Sequence, residues 1–145
     1  MYGEAFVDLC ERSLLRMTEG GSIVGLSSPG VTAYLYGAGP MYSMPGSGKC
    51  LMEYSMRIYA LQAAARNINV NVVVPGITIT EAWSRLFKKR GTDVDMHTLA
   101  ETKVPMKKAL VPRDIGNVVA FLTSDAGRFV TGTVVPIDGG LHLKR

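Results

Sequence analysis

Residues 69–74 read NVNVVV, and Pro75-Gly76 follow at once. The run is β-branched, short and closed by a turn signal, so it reads as a strand. Its near-continuous apolar character suits a strand covered on both faces, as strands are in a parallel sheet. Working upstream, Pro45 opens a long helix to about Asn67, proline being tolerated in a first turn where its missing N–H has no intrahelical partner anyway. Residues 29–44 form a Gly/Pro/Tyr-rich loop, and a loop of that length in a compact domain is usually functional or disordered. Before it, SIVGL at 22–26 is a short buried strand. Residues 2–18 form a helix, with Phe6, Leu9, Cys10, Leu14 and Met17 at helical spacing and Gly20-Gly21 ending it. Downstream, residues 81–110 are polar and irregular, with a helix at Glu81 to Lys89. A helix from Arg113 to Ser124 shows the stripe Ile115, Val118, Val119 and Leu122. A last strand, TVVPI at 133–137, runs into the turn Asp138-Gly139-Gly140. Helix and strand alternate throughout, which argues an α/β fold on a parallel sheet.

Length and composition narrow the classes. A chain of 145 residues predicts one domain, and 47% hydrophobic against 19% charged residues predicts a packed core. The net charge of +4 is spread along the chain, so no nucleic-acid partner is expected. Its nearest cluster, Lys88, Lys89 and Arg90, reads as a solvated helix end. Cys10 and Cys50 give neither a disulfide framework nor metal spacing and read as buried free thiols. His97 and His142 read as solvated surface residues. No apolar run reaches the roughly 18 residues that span a membrane, and the first residues carry no signal-peptide pattern. A cytoplasmic, reducing location is the expectation.

One segment invites a phosphate-loop reading: YSMPGSGKC at 42–50. That loop needs G-x-x-x-x-G-K-[ST] between a strand and a helix. Gly48-Lys49 supplies its end, but Ser43 stands where the first glycine belongs and Cys50 where a magnesium-binding hydroxyl belongs. Pro45 removes an amide, and the preceding strand ends near Leu26. The lysine needs another explanation. Ser28 lies just past one strand, Tyr42 and Lys49 at the start of the next helix, and Asn71-x-x-x-Pro75-Gly76-x-x-x-Thr80 runs out of the following strand. Ligands of open parallel sheets sit outside the carboxyl ends of the strands, so these groups are expected to line one crevice.

With those residues in view, the chain resembles the short-chain dehydrogenase/reductase family over nearly its whole length. GGSIVGLSS is similar to the family's fifth strand and catalytic serine, and NVNVVVPGITIT to its sixth strand and nicotinamide loop. VPRDIGNVVAFLTSDAGRFVTGTVVPIDGG is similar to its C-terminal signature. The resemblance implies a partial Rossmann-like sheet, the C-terminal half of that fold. It implies NAD or NADP as cofactor, a small-molecule carbonyl or enoyl substrate, and a homo-oligomer or a complementing chain. It makes Ser28, Tyr42 and Lys49 catalytic, and puts Lys49, Pro75, Gly76, Ile77 and Thr80 at the cofactor. Tyr42 is a departure: the common pattern Tyr-x-x-x-Lys would put tyrosine at Pro45, whereas Tyr42 gives Tyr-x6-Lys, the spacing of the superfamily's enoyl-acyl-carrier-protein reductases. Tyr34 and Tyr36 are alternatives in the same loop. Thr80 also reads as a helix N-cap before Glu81. Met106 and Leu110 fall where the family's variable substrate lid lies.

Missing from the sequence is the family's glycine-rich pyrophosphate loop, which holds the cofactor at a helix N-terminus. The chain therefore reads as a single domain over 1–145, truncated and lacking the N-terminal dinucleotide-binding half. Two functions follow. One is a reductase, acting alone or completed by another chain. The other is a catalytically silent domain that works only by association.

Overall fold

In the computed structural model, which describes residues 2–31, 43–89, 91 and 94–143, the valine-rich run is the central strand of a three-stranded parallel sheet. In chain order the elements are α1 (Tyr2–Leu14), β1 (Gly21–Leu26), α2 (Ser43–Ala64), β2 (Ile68–Pro75), α3 (Glu81–Lys89), α4 (Met96–Lys103), α5 (Pro112–Leu122) and β3 (Val134–Ile137). The strand order is β1-β2-β3. Gly21 faces Ile68 and Leu26 faces Val73 on one side; Val72 faces Val134 and Pro75 faces Ile137 on the other. This is the α/β parallel arrangement that the alternation of helix and strand predicts.

The period of two along β2 divides the core. Val70, Val72 and Val74 point to one face and pack against Phe6 and Cys10 of α1 and Met52, Met56, Tyr59, Ala60 and Ala63 of α2. Val73 points to the other face, toward Ile115, Val118, Val119 and Leu122 of α5. The same face of β2 carries two buried asparagines. Asn71 donates to the Val130 carbonyl at 2.7 Å and accepts from the Thr133 amide at 3.1 Å, and Asn69 donates to the Gly127 carbonyl. Buried amides need partners, and these two fasten the segment that feeds β3. Asn71 is therefore a fully buried structural residue, not part of a crevice as its place before Pro75-Gly76 predicts.

Helix ends differ from the sequence expectation for local reasons. α1 stops at Leu14 rather than residue 18, because the Arg66 guanidinium takes the Leu14 and Met17 carbonyls and the chain turns there. α2 begins at Ser43, two residues before Pro45, which still leaves the proline in the first turn. α5 begins at Pro112, with the Asp114 carboxylate accepting the Val111 amide. α4 went unread in the polar segment 81–110. Asp95 caps it, accepting from the His97 and Thr98 amides, and Met96, Ala100 and Val104 bury its inner side. Among the described residues no helix is long and apolar enough to cross a membrane.

Candidate active site

The carboxyl end of β1 meets the start of α2 at Lys49. Its ammonium donates to the carbonyl of Leu26, the last residue of β1, and lies 4.5 Å from the centre of the Tyr2 ring. Burial pulls the Lys49 pKa below its ordinary value. The strand's pairing continues one residue further, the Ser27 amide donating to the Val73 carbonyl at 2.9 Å. Ser28 then opens a tight turn by accepting from the Val31 amide at 3.2 Å. Ser27 is held from behind, since its hydroxyl donates to the buried carboxylate of Glu53. Glu53 lies one helical turn beyond Lys49, on the buried side of α2 with Met52 and Met56.

The loop after β2 is fastened to both of its neighbours. The Gly76 amide donates to the Ile137 carbonyl at 2.9 Å, and a Cβ on Gly76 would lie 2.7 Å from Asp138 Cβ and 2.8 Å from its Cα. Only glycine lets the two strand ends come this close. The Leu110 amide donates to the Ile77 carbonyl and the Ile79 amide to the Leu110 carbonyl, each at 2.8 Å. Thr80 caps α3: its hydroxyl accepts from the Trp83 amide at 3.4 Å and its carbonyl from the Ser84 amide at 3.3 Å. Thr80 also lines an open groove of about 460 Å³ with Glu81, Ser84, Arg85 and Lys88, in which neither Ser28 nor Lys49 takes part.

A second cleft, of about 290 Å³, opens at the carboxyl ends of β2 and β3 beside Ser28's neighbour Pro29; Glu53, Val74, Asp138 and His142 line it. The Asp138 carboxylate is buried and accepts the Gly140 amide at 3.0 Å, the His142 amide at 2.9 Å and the His142 ring nitrogen at 3.0 Å. Asp138-Gly139-Gly140 is thus a structural turn, with both glycines at positive φ. His142, read from sequence as having no partner, is bound to Asp138.

Lys49, the β1 end that leads to Ser28, and the loop Pro75-Gly76-Ile77 all stand at the carboxyl ends of parallel strands. Tyr42, Tyr34 and Tyr36 lie outside the described residues, as does Arg90. Leu110 is half-buried, packs against the cluster of Val73 and is bonded through its backbone to the loop after β2, while Met106 is exposed. Cys10 is buried as expected, but Cys50 is exposed, because it falls on the outer side of α2, away from Met52 and Met56. Sequence reasoning missed Tyr2 and Glu53. Glu53 had a signal: an acidic residue on the apolar stripe of a helix, four residues after the lysine.

Chemically, the donors among the described residues at this end of the sheet include the Lys49 ammonium, the Ser28 and Thr80 hydroxyls and backbone amides, with Arg85 and Lys88 beside Thr80. Such a set suits a ligand rich in hydroxyls and phosphate. An ammonium has three donor directions, so Lys49 keeps capacity beyond the Leu26 carbonyl. The nicotinamide riboside half of a dinucleotide fits this donor set.

Comparisons with known proteins agree in kind. A family model described as enoyl-(acyl carrier protein) reductase matches residues 3–142. An enoyl-acyl-carrier-protein reductase (NADH) of Nostoc sp. is 36% identical over 129 residues, 88% of this chain and 46% of that protein. Among solved structures, an enoyl-acyl-carrier-protein reductase from Anaplasma phagocytophilum in complex with NAD has a TM-score of 0.78 at 26% identity, covering 98% of this chain and 49% of that one. An angucycline C-6 ketoreductase with bound NADP has a TM-score of 0.78 at 28% identity, covering 97% and 51%. The chain spans about half the length of the curated relatives it matches.

Proposed function

The chain belongs to the short-chain dehydrogenase/reductase family, and from that premise we propose that it carries the nicotinamide and substrate half of an NAD- or NADP-dependent oxidoreductase that reduces a keto or enoyl group by hydride transfer. The observation that supports this most is the Lys49 ammonium at the carboxyl end of β1, two residues before Ser28. When bound, the reduced nicotinamide supplies the hydride. The chain's own groups do the rest. The Ser28 hydroxyl donates a hydrogen bond to the substrate carbonyl oxygen. The Tyr42 hydroxyl delivers the proton that this oxygen takes up when a ketone becomes an alcohol. A phenol titrates near 10 when unperturbed, so a nearby cation is needed for proton transfer near neutral pH. Lys49 is that cation, and it also donates to the ribose hydroxyls. For an enoyl thioester the same two hydroxyls stabilise the negative charge that develops on the thioester oxygen. Pro75, Gly76 and Ile77 carry the nicotinamide at the end of β2, and Thr80 stands toward the phosphates while capping α3.

The test is turnover of a keto and an enoyl thioester, followed by loss of reduced-nicotinamide absorbance. Tyr42→Phe and Lys49→Ala are each expected to lower kcat/KM by about 10²-fold or more. Undiminished turnover in both would sink the assignment. A chain that associates but neither binds the cofactor nor turns over would favour the catalytically silent reading instead.

A further inference from the structure

We propose that Tyr2 is a positioning residue for Lys49, its ring face acting with the Leu26 carbonyl to fix the ammonium at the carboxyl end of β1. The inference rests on the role given to Lys49 above. A lysine carries its charge on a flexible four-carbon stem, so a group that must meet a ribose and a phenol needs something to hold it. Two contacts do so. The ammonium donates to the Leu26 carbonyl, and it lies 4.5 Å from the Tyr2 ring centre, inside the roughly 6 Å over which a ring quadrupole attracts a cation.

The backbone is arranged to bring that ring in. Tyr2 sits at the start of α1 and Lys49 in the second turn of α2. A Cβ on Gly3 would lie 2.7 Å from the Gly48 carbonyl and 2.6 Å from Leu51 Cβ, and one on Gly48 would lie 3.6 Å from Tyr2 Cβ. Gly3 therefore lets α1 touch the backbone of α2 next to the lysine, whereas a Cβ on Gly48 would make only ordinary contact. Core packing does not account for the ring: Tyr2 is 51% exposed and stands outside the cluster that Phe6 and Cys10 join. Among the described residues the ammonium meets a carbonyl on one side and a ring on another, which leaves a donor direction for ribose. What matters is the aromatic face, not the phenol hydroxyl, so phenylalanine can replace Tyr2 and leucine cannot.

The experiment is NMR of the full chain carrying lysine labelled with carbon-13 at the ε position. The Lys49 signal is assigned by its loss in Lys49→Gln. A methylene beside an aromatic face is displaced upfield by the ring current. That displacement is expected in the wild type, retained in Tyr2→Phe and lost in Tyr2→Leu. The affinity for a reduced nicotinamide dinucleotide is expected to fall about 2–5-fold in Tyr2→Leu, the span of an exposed cation–π contact, and to recover in Tyr2→Phe. An undisplaced Lys49 signal in the wild type or in Tyr2→Phe overturns the role of Tyr2, and it does so even if Tyr2→Leu fails to fold. Equal dinucleotide affinity in folded Tyr2→Leu and wild type overturns it too. If the displacement is present but dinucleotide binding ignores Lys49→Gln, the proposed function fails while the Tyr2 contact stands.

Discussion

Tyr59 shows how a single side chain links the two helices on one face of the sheet. It is buried on α2, and its hydroxyl donates to the Glu11 carboxylate of α1 at 2.6 Å. That bond, with burial adding to it, pushes the phenol up to about 12. The folded value lies above the unfolded one near 10, so the contribution to stability is complete below pH 10 and is lost as pH rises toward 12. Tyr59→Phe is expected to cost about 1.5 kcal/mol at neutral pH and to flatten the fall in urea midpoint between pH 10 and 12. An unchanged alkaline slope would mean that the bond contributes nothing. Neither Tyr59 nor Tyr2 was legible as anything but a helical aromatic, because their partners lie on another helix and sequence spacing is silent across helices. The places of Lys49 and Ser28 were legible, since each sits at a short offset from a strand or helix that hydrophobic pattern identifies, while their roles rest on the family resemblance.

At the scale of elements, β2 was readable because four valines in six residues leave little choice of conformation. Its two asparagines were not readable as structural. Asn71 resembles a site residue until the segment 127–133 is seen lying against it. Asn71→Ala would leave the Val130 carbonyl and the Thr133 amide without their partner inside the protein, and is expected to cost about 1–3 kcal/mol in denaturant unfolding. A loss below a few tenths would show that water replaces the amide and that β3 is not held this way. α4 was missed for the opposite reason. Its apolar stripe is only Met96, Ala100 and Val104, too thin for a pattern, and the Asp95 cap was its one clear signal. Hydrogen bonds from the His97 and Thr98 amides and the Thr98 hydroxyl hold the Asp95 carboxyl below its usual range.

For the whole molecule, two faces of the sheet are covered by helices, but α2 presents a second stripe outward. Leu51, Tyr54, Ile58 and Leu61 recur at helical spacing and are 42%, 66%, 40% and 79% exposed. An apolar stripe of this kind marks an interaction site more often than a solvated surface. We propose a homodimer through α1 and α2 or association with a complementing chain, and sedimentation should report the assembly, with Leu61→Arg and Tyr54→Arg shifting a dimer to monomer. A monomer at all concentrations, with or without those changes, would remove the dimer from the account. Whether Lys49 meets the cofactor is read by calorimetric titration of the chain with a reduced nicotinamide dinucleotide. Saturable one-site binding is expected, weakening about tenfold or more in Lys49→Gln, the loss of a charge-assisted hydrogen bond being worth roughly 1.5–3 kcal/mol. Binding of equal strength in the two proteins, or none in the wild type, would contradict it.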